Sequence, residues 1–151
     1  MEGKDLLSMS DLSHEGTQLL ISNAIDRKTA DWISSLSGKV LALLFQKPSL
    51  GAGMSFELVM QQLDGRTVYL SLGEVGLGQR ESVLDVALVL SRYTDAIGAR
   101  TFSHQTLGVL VSNTDVLVIN ALSDLEYPLP AHRGEEVAED VLDGPQSFVF
   151  D

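Results

Sequence analysis

Residues 40–63 restrict the possible folds more than any other part of this chain. The run VLALLF at 40–45 is continuously apolar and of strand length, and the stretch after it is punctuated by Pro48, Gly51 and Gly53. From about Ser55 to Leu63, the apolar residues Phe56, Val59, Met60 and Leu63 fall at helical spacing. Pro48 holds Lys47 out of the helical region, and Asp64-Gly65 ends the helix. A buried strand, a loop and a helix in this order form half of a βαβ unit. The loop and first helical turn of such a unit bring together free backbone N–H groups and the positive end of the helix dipole, so they make a ready site for an anion.

The rest of the chain repeats the alternation. Leu19, Leu20, Ile21, Ala24 and Ile25 predict a helix within 5–30 that covers one face of the domain, and Trp32 and Ile33 continue its apolar surface. TVYLSL at 67–72 is a second strand by its β-branched and aromatic content, and 73–78, with three glycines, reads as a mobile loop. Ser82 and Asp85 make an imperfect capping box for a helix running to about Tyr93. That helix is apolar on nearly every side, which predicts burial on two faces or a place in a subunit interface. Ala96–Ala99 is a third strand, Gln105–Val111 a short helix and Asp115–Asn120 a fourth strand. The pattern implies an α/β, three-layer domain with a central parallel sheet of four strands or slightly more and helices on both faces.

Composition removes several classes of function. A chain of 151 residues that is 44% apolar fits one domain with a real core. It has no cysteine, which excludes disulfides, thiolate metal sites and cysteine nucleophiles. His14, His104 and His132 show no metal-ligand spacing. A lone His104 beside a strand end reads as a hydrogen-bonded structural residue. The net charge of −11 argues against nucleic acid, although a local arginine or helix end can still hold a small anion. No apolar run is long enough to span a membrane and the acidic N-terminus lacks the layout of a signal peptide, so a cytoplasmic protein is expected.

Several segments, in order, carry a family resemblance: KDLLSMSDL at 4–12, GKVLALLFQKPS at 38–49, MSFELVMQQLDG at 54–65, LGQRESVLDVALVLSRYTDAI at 77–97, ARTFSH at 99–104 and VINALSDLEYP at 118–128. Through them the chain resembles the aspartate/ornithine carbamoyltransferase family, its ornithine members above all. The resemblance implies that residues 1–128 form the carbamoyl-phosphate-binding domain. It also implies that 129–151, with six acidic residues and one arginine, are a segment from near the family's C-terminus joined straight onto it. That segment is expected to pack on the domain or to be partly disordered, and the amino-acid-binding domain is expected to be absent. The family's reaction, attack of an amine on the carbamoyl carbon with phosphate leaving, uses no metal or organic cofactor. The family is trimeric, with sites shared between subunits, so a homotrimer is a further expectation.

The same resemblance locates the site and its losses. The family loop reads Ser-Thr-Arg-Thr-Arg, whereas here Ser49 is followed by Leu50, Gly51, Ala52 and Gly53. The family's His-Pro-x-Gln corresponds to Tyr127, Pro128, Leu129 and Pro130, and a glutamine that reaches a neighbouring subunit corresponds to Gly76. The implied substrate-binding set is Ser49, Leu50, Gly51, Ala52, Gly53 and Arg100, with no catalytic residue retained. Weak binding of carbamoyl phosphate or phosphate, if any, and little or no transfer activity are expected. Losses confined to ligand contacts in an otherwise family-like domain suit an engineered, truncated derivative. A single-domain structural or oligomerisation scaffold without catalysis is the alternative. Gly51-x-Gly53 followed by Glu74 superficially matches a dinucleotide fingerprint, but Phe56 occupies its third glycine position.

Overall fold

In the computed structural model, residues 5–29, 34–71, 76 and 81–125 are described. The chain runs α1 (His14–Thr29), β1 (Val40–Phe45), α2 (Leu50–Gln62), β2 (Arg66–Ser71), α3 (Val83–Tyr93), β3 (Ala96–Arg100), α4 (His104–Ser112) and β4 (Leu117–Leu122). All four strands are parallel, in the order β2-β1-β3-β4. Alternate residues of the strands face opposite layers. Ala42, Leu44, Ile97, Ala99 and Val118 pack with Val86, Ala87 and Leu90 of α3 and Leu107 and Leu110 of α4. Leu41, Leu43, Phe45 and Ala121 pack with Ala52 and Met60 of α2. The three-layer α/β fold expected from the alternation is therefore present.

β1 lies between β2 and β3 and is covered on both faces, which is why its sequence carries no polar residue. Its start is held beside β3 by Asp95, whose carboxylate accepts from Val40 N–H at 2.9 Å and from Lys39 Nζ at 2.9 Å. The Asp95 N–H in turn donates to the Val40 carbonyl at 2.8 Å. Along the outer edge of β4 runs the segment 5–7. Leu6 N–H donates to the Val118 carbonyl at 2.9 Å, and Asn120 N–H donates to the Leu6 carbonyl at 2.8 Å. Asn120, fully buried, donates its side-chain amide to the Leu7 carbonyl at 2.9 Å.

The structure corrects several sequence expectations. α2 starts at Leu50, not near Ser55, because the Ser49 hydroxyl caps it, accepting from Ala52 N–H at 3.3 Å. Gly51, Ala52 and Gly53 thus form its first turn, and the inner face of the helix runs through Ala52, Gly53, Phe56 and Met60, leaving Val59 exposed. β4 spans 117–122 rather than 115–120, since its pairing extends to Leu122 opposite Arg100. α1 does not cover the sheet with its apolar stripe: Leu19, Ile21 and Ile25 are exposed. α3 buries Val86, Ala87 and Leu90 on one face, while Leu84, Leu88, Val89 and Tyr93 are exposed, so within the described residues it is not buried on two faces. Trp32, Ile33, most of the 73–78 loop and the whole 129–151 segment lie outside the described residues.

This packing has consequences for stability that can be measured. A Cβ on Gly98 would lie 3.1 Å from Leu43 Cδ2 and 3.7 Å from Phe56 Cζ, both in the α2 layer. Gly98→Val should therefore overpack this layer and lower stability by about 1–3 kcal/mol in urea titrations. The Asp95 carboxyl is held below its ordinary value of 3.8, chiefly by the Lys39 hydrogen bond and then by that from Val40 N–H. Its contribution is present above the unfolded value and lost as pH falls through the lower folded value. The stability difference between the parent and Asp95→Asn should shrink as pH falls from about 5 to below the ordinary value of 3.8, modestly so for an exposed pair; a constant difference would contradict this role.

Candidate functional site

β1 and β3 are neighbours, yet the chain leaves β1 towards α2 on one face and leaves β3 towards α4 on the other. Loops that part in this way open a crevice at the carboxyl ends of the strands, where ligands of open α/β sheets bind. Residues 46–49 follow β1 and residues 101–103 follow β3 at this switch point.

Ser49 enters α2 in an extended conformation (φ −147°, ψ 109°), and its carbonyl accepts the first helical bond, from Gly53 N–H at 3.1 Å. A helix start leaves N–H groups without partners inside the helix, and the Ser49 hydroxyl takes the one from Ala52. The dipole adds positive potential at the same point. Leu50 is 80% exposed, while Ala52 and Gly53 are buried beneath the first turn. A Cβ on Gly53 would meet only Tyr69 Cε2 at 3.7 Å and Phe45 Cε2 at 3.9 Å, which are ordinary contacts.

Arg100, at the end of β3, reaches across the crevice and donates from Nη1 to the Pro48 carbonyl at 3.2 Å. Its Nε is buried and has no hydrogen-bond partner among the described residues. The structure thus brings Arg100 to the loop that delivers Ser49, Leu50, Gly51, Ala52 and Gly53 to the helix start. The six residues expected from the sequence converge, with Leu50 pointing most of its side chain to solvent.

Three further residues, not expected from the sequence, join the two walls. Gln46 N–H donates to the Arg100 carbonyl at 2.8 Å, and Gln46 Oε1 accepts from Phe102 N–H at 2.8 Å. Lys47 Nζ lies 5.1 Å from the centre of the Phe102 ring, a cation–π contact. Their signal in the sequence is positional: each follows closely on the end of a strand at the switch point.

His104 behaves as the structural residue expected of it. Its Nδ1 is 2.9 Å from Ser123 Oγ, and its backbone N–H donates to Asp124 Oδ1 at 2.6 Å, which ties the start of α4 to the end of β4. Gly76 is buried with φ +62°, a conformation that glycine adopts readily. Tyr127, Pro128, Leu129, Pro130, His132 and Arg133 lie outside the described residues. Among the described residues, no group of three or more histidine or carboxylate side chains could hold a metal ion, and no helix is long and apolar enough to cross a membrane.

Comparison with known proteins bears on this geometry. The family model for the aspartate/ornithine carbamoyltransferase, carbamoyl-P binding domain, matches residues 4–131. The chain is similar to an ornithine carbamoyltransferase of Thermus thermophilus, with 44% identity over 129 residues that cover 85% of this chain and 43% of that protein. Among solved structures, it is similar to an ornithine carbamoyltransferase from Thermus thermophilus, with a TM-score of 0.82 and 41% identity over 93% of this chain and 49% of the other. The Pyrococcus furiosus enzyme aligns with a TM-score of 0.81 and 38% identity over 86% of this chain and 43% of the other. The chain spans less than half the length of these relatives.

The helical first turn generates a direct test. Gly53→Ala should raise stability by about 0.5–1 kcal/mol, because alanine is the better helix former and the site has room for a methyl group. Ser49→Ala should lower it by about 1 kcal/mol through loss of the cap. Thermal denaturation of both variants reads the two signs. Destabilisation by Gly53→Ala would mean that residues 50–53 are not helical.

Proposed function

The chain belongs to the aspartate/ornithine carbamoyltransferase family, and from that membership we propose that it keeps the phosphate-holding half of a carbamoyltransferase site in weakened form. It binds carbamoyl phosphate or inorganic phosphate weakly and transfers the carbamoyl group to the ornithine amine slowly or not at all. The observation that carries this reading is the capped start of α2 facing Arg100 across the crevice, with glycine at 51 and 53.

The chemistry behind the reading is electrostatic. When carbamoyl phosphate is attacked, the leaving phosphate gathers negative charge, which hydrogen-bond donors fixed at the site stabilise. Ser49, the first turn of α2 and Arg100 supply part of that donor set. Charge-assisted hydrogen bonds contribute about 1.5–3 kcal/mol each. Loss of the one guanidinium that position 51 could direct at the ligand would weaken phosphate binding by about one to two orders of magnitude, at about 1.4 kcal/mol per tenfold. The concentration of departures on the ligand loop supports a site neutralised selectively, as in an engineered derivative.

The outward stripe of α3 favours a second reading, in which the domain is an assembly module, trimeric as the family resemblance implies. Leu84, Leu88, Val89 and Tyr93 are exposed on one helix whose opposite side is already packed. Asp85 and Arg92, also exposed, lie between the Leu84–Leu88 and Val89–Tyr93 pairs, and exposed apolar side chains in this number suit an interaction site.

Isothermal titration with carbamoyl phosphate separates these readings. A dissociation constant of about millimolar, with no detectable carbamoylation of ornithine, is the expected result, at about 4 kcal/mol of binding free energy. No heat at about 10-fold higher ligand would overturn the binding reading. Light scattering then tests assembly: an oligomer that Leu88→Lys converts to a folded monomer supports it, and a parent chain that is monomeric at all concentrations overturns it.

A further inference from the structure

On its β4 side, Arg100 is not held by regular sheet pairing. The β3–β4 register shifts between Ala99 and Arg100, so that Arg100 lies opposite Leu122 instead of Ala121. Such an irregularity bends the strand and re-aims the side chain that follows it. β4 therefore does not by itself dictate where the guanidinium goes. On the other side of β3, regular pairing with β1 ends at the Phe45–Arg100 pair.

Gln46 supplies what the sheet does not. Its backbone N–H donates to the Arg100 carbonyl, and its side-chain oxygen accepts the Phe102 N–H, both at 2.8 Å. The two bonds straddle Thr101, whose own N–H donates to the Leu122 carbonyl at 3.0 Å and whose side chain is buried. The backbone on both sides of Thr101 is pinned to the loop that enters α2. Arg100 then spans the gap to the Pro48 carbonyl with its Nε buried and unpartnered among the described residues. A buried donor without a partner is costly and persists only where the surrounding structure fixes it.

We propose that Gln46 is a positioning residue: through its paired hydrogen bonds to Arg100 and Phe102 it fixes the guanidinium of Arg100 opposite the N-terminus of α2, so that both act on one anion. The part concerning an anion rests on the phosphate-binding reading above. The amide is suited to this role. A carboxylate at 46 would accept the same Phe102 N–H but would add negative charge beside the anion.

Two measurements test the proposal on the full chain. In a cycle of Gln46→Met, Arg100→Met and the double variant, inorganic phosphate binding is followed by titration. Gln46→Met should weaken it about tenfold in the parent and less than about twofold once Arg100 is gone, because its effect passes through Arg100. Equal weakening in both backgrounds would overturn the proposal, since a general structural role predicts additive losses. The second measurement needs no ligand: solvent exchange of the Arg100 Nε–H by NMR. It should be slow in the parent, at least about tenfold faster in Gln46→Met, and slow again in Gln46→Glu, which keeps the acceptor. Exchange unchanged by Gln46→Met, or equally fast in Gln46→Glu, would overturn the proposal. If the exchange responds as expected while the parent binds no phosphate, the positioning role stands and the anion reading falls.

Discussion

The candidate site depends on a single topological constraint, that β1 and β3 are hydrogen-bonded neighbours whose following helices lie on opposite faces of the sheet. The constraint is enforced by burial. Leu41, Leu43 and Phe45 point into the α2 layer, while Ala42 and Leu44 point into the layer of α3 and α4, and all five are buried. A slip of one residue in β1 would exchange the two sets between layers of different shape. Because β1 cannot slip, the crevice beyond Phe45 and Arg100 has fixed walls, and a short loop suffices to set Ser49 at the start of α2.

On that frame, a small number of polar contacts define the site. Gln46 and Arg100 bind the two walls together, Ser49 starts the helix, and Lys47 rests on Phe102 at the rim. The balance of charge is what departs from the family pattern. Gly51 and Gly53 bring no cation to the helix start, and Leu50 puts an exposed apolar side chain beside it. On the proposed phosphate-binding reading, the helix start keeps its backbone donors while much of the side-chain contribution is lost. A helix terminus at a surface typically contributes up to about 1 kcal/mol towards a charge, less than one charge-assisted hydrogen bond from an arginine.

How much of this can be read from the sequence varies by element for physical reasons. β1 is legible because burial on both faces leaves a run without polar residues. The start of α2 is not, since Ser49, Gly51 and Gly53 follow Pro48 within five residues and suggest a loop. The Ser49 cap and the burial of Ala52 and Gly53 make the first turn helical instead. β4 is displaced because Asn120 looks like the end of a strand, whereas its side-chain amide donates to the Leu7 carbonyl, far away in sequence. α1 and α3 show that helical spacing identifies an apolar face but not what, if anything, packs on it. At the site, Ser49 and Arg100 are recognisable from their segments. Gln46, Lys47 and Phe102 act across two loops, and no local pattern announces such a contact.

The central claim is that the fold still presents the phosphate loop in working geometry and that the missing charges account for its weakness. Restoring arginine at the half-buried Gly51, as Gly51→Arg, tests this most directly when phosphate affinity is measured in parent and variant under the same salt. The account predicts a gain of at least about tenfold, from one charge-assisted contact, with helix content unchanged. A folded variant whose phosphate affinity equals that of the parent would contradict it.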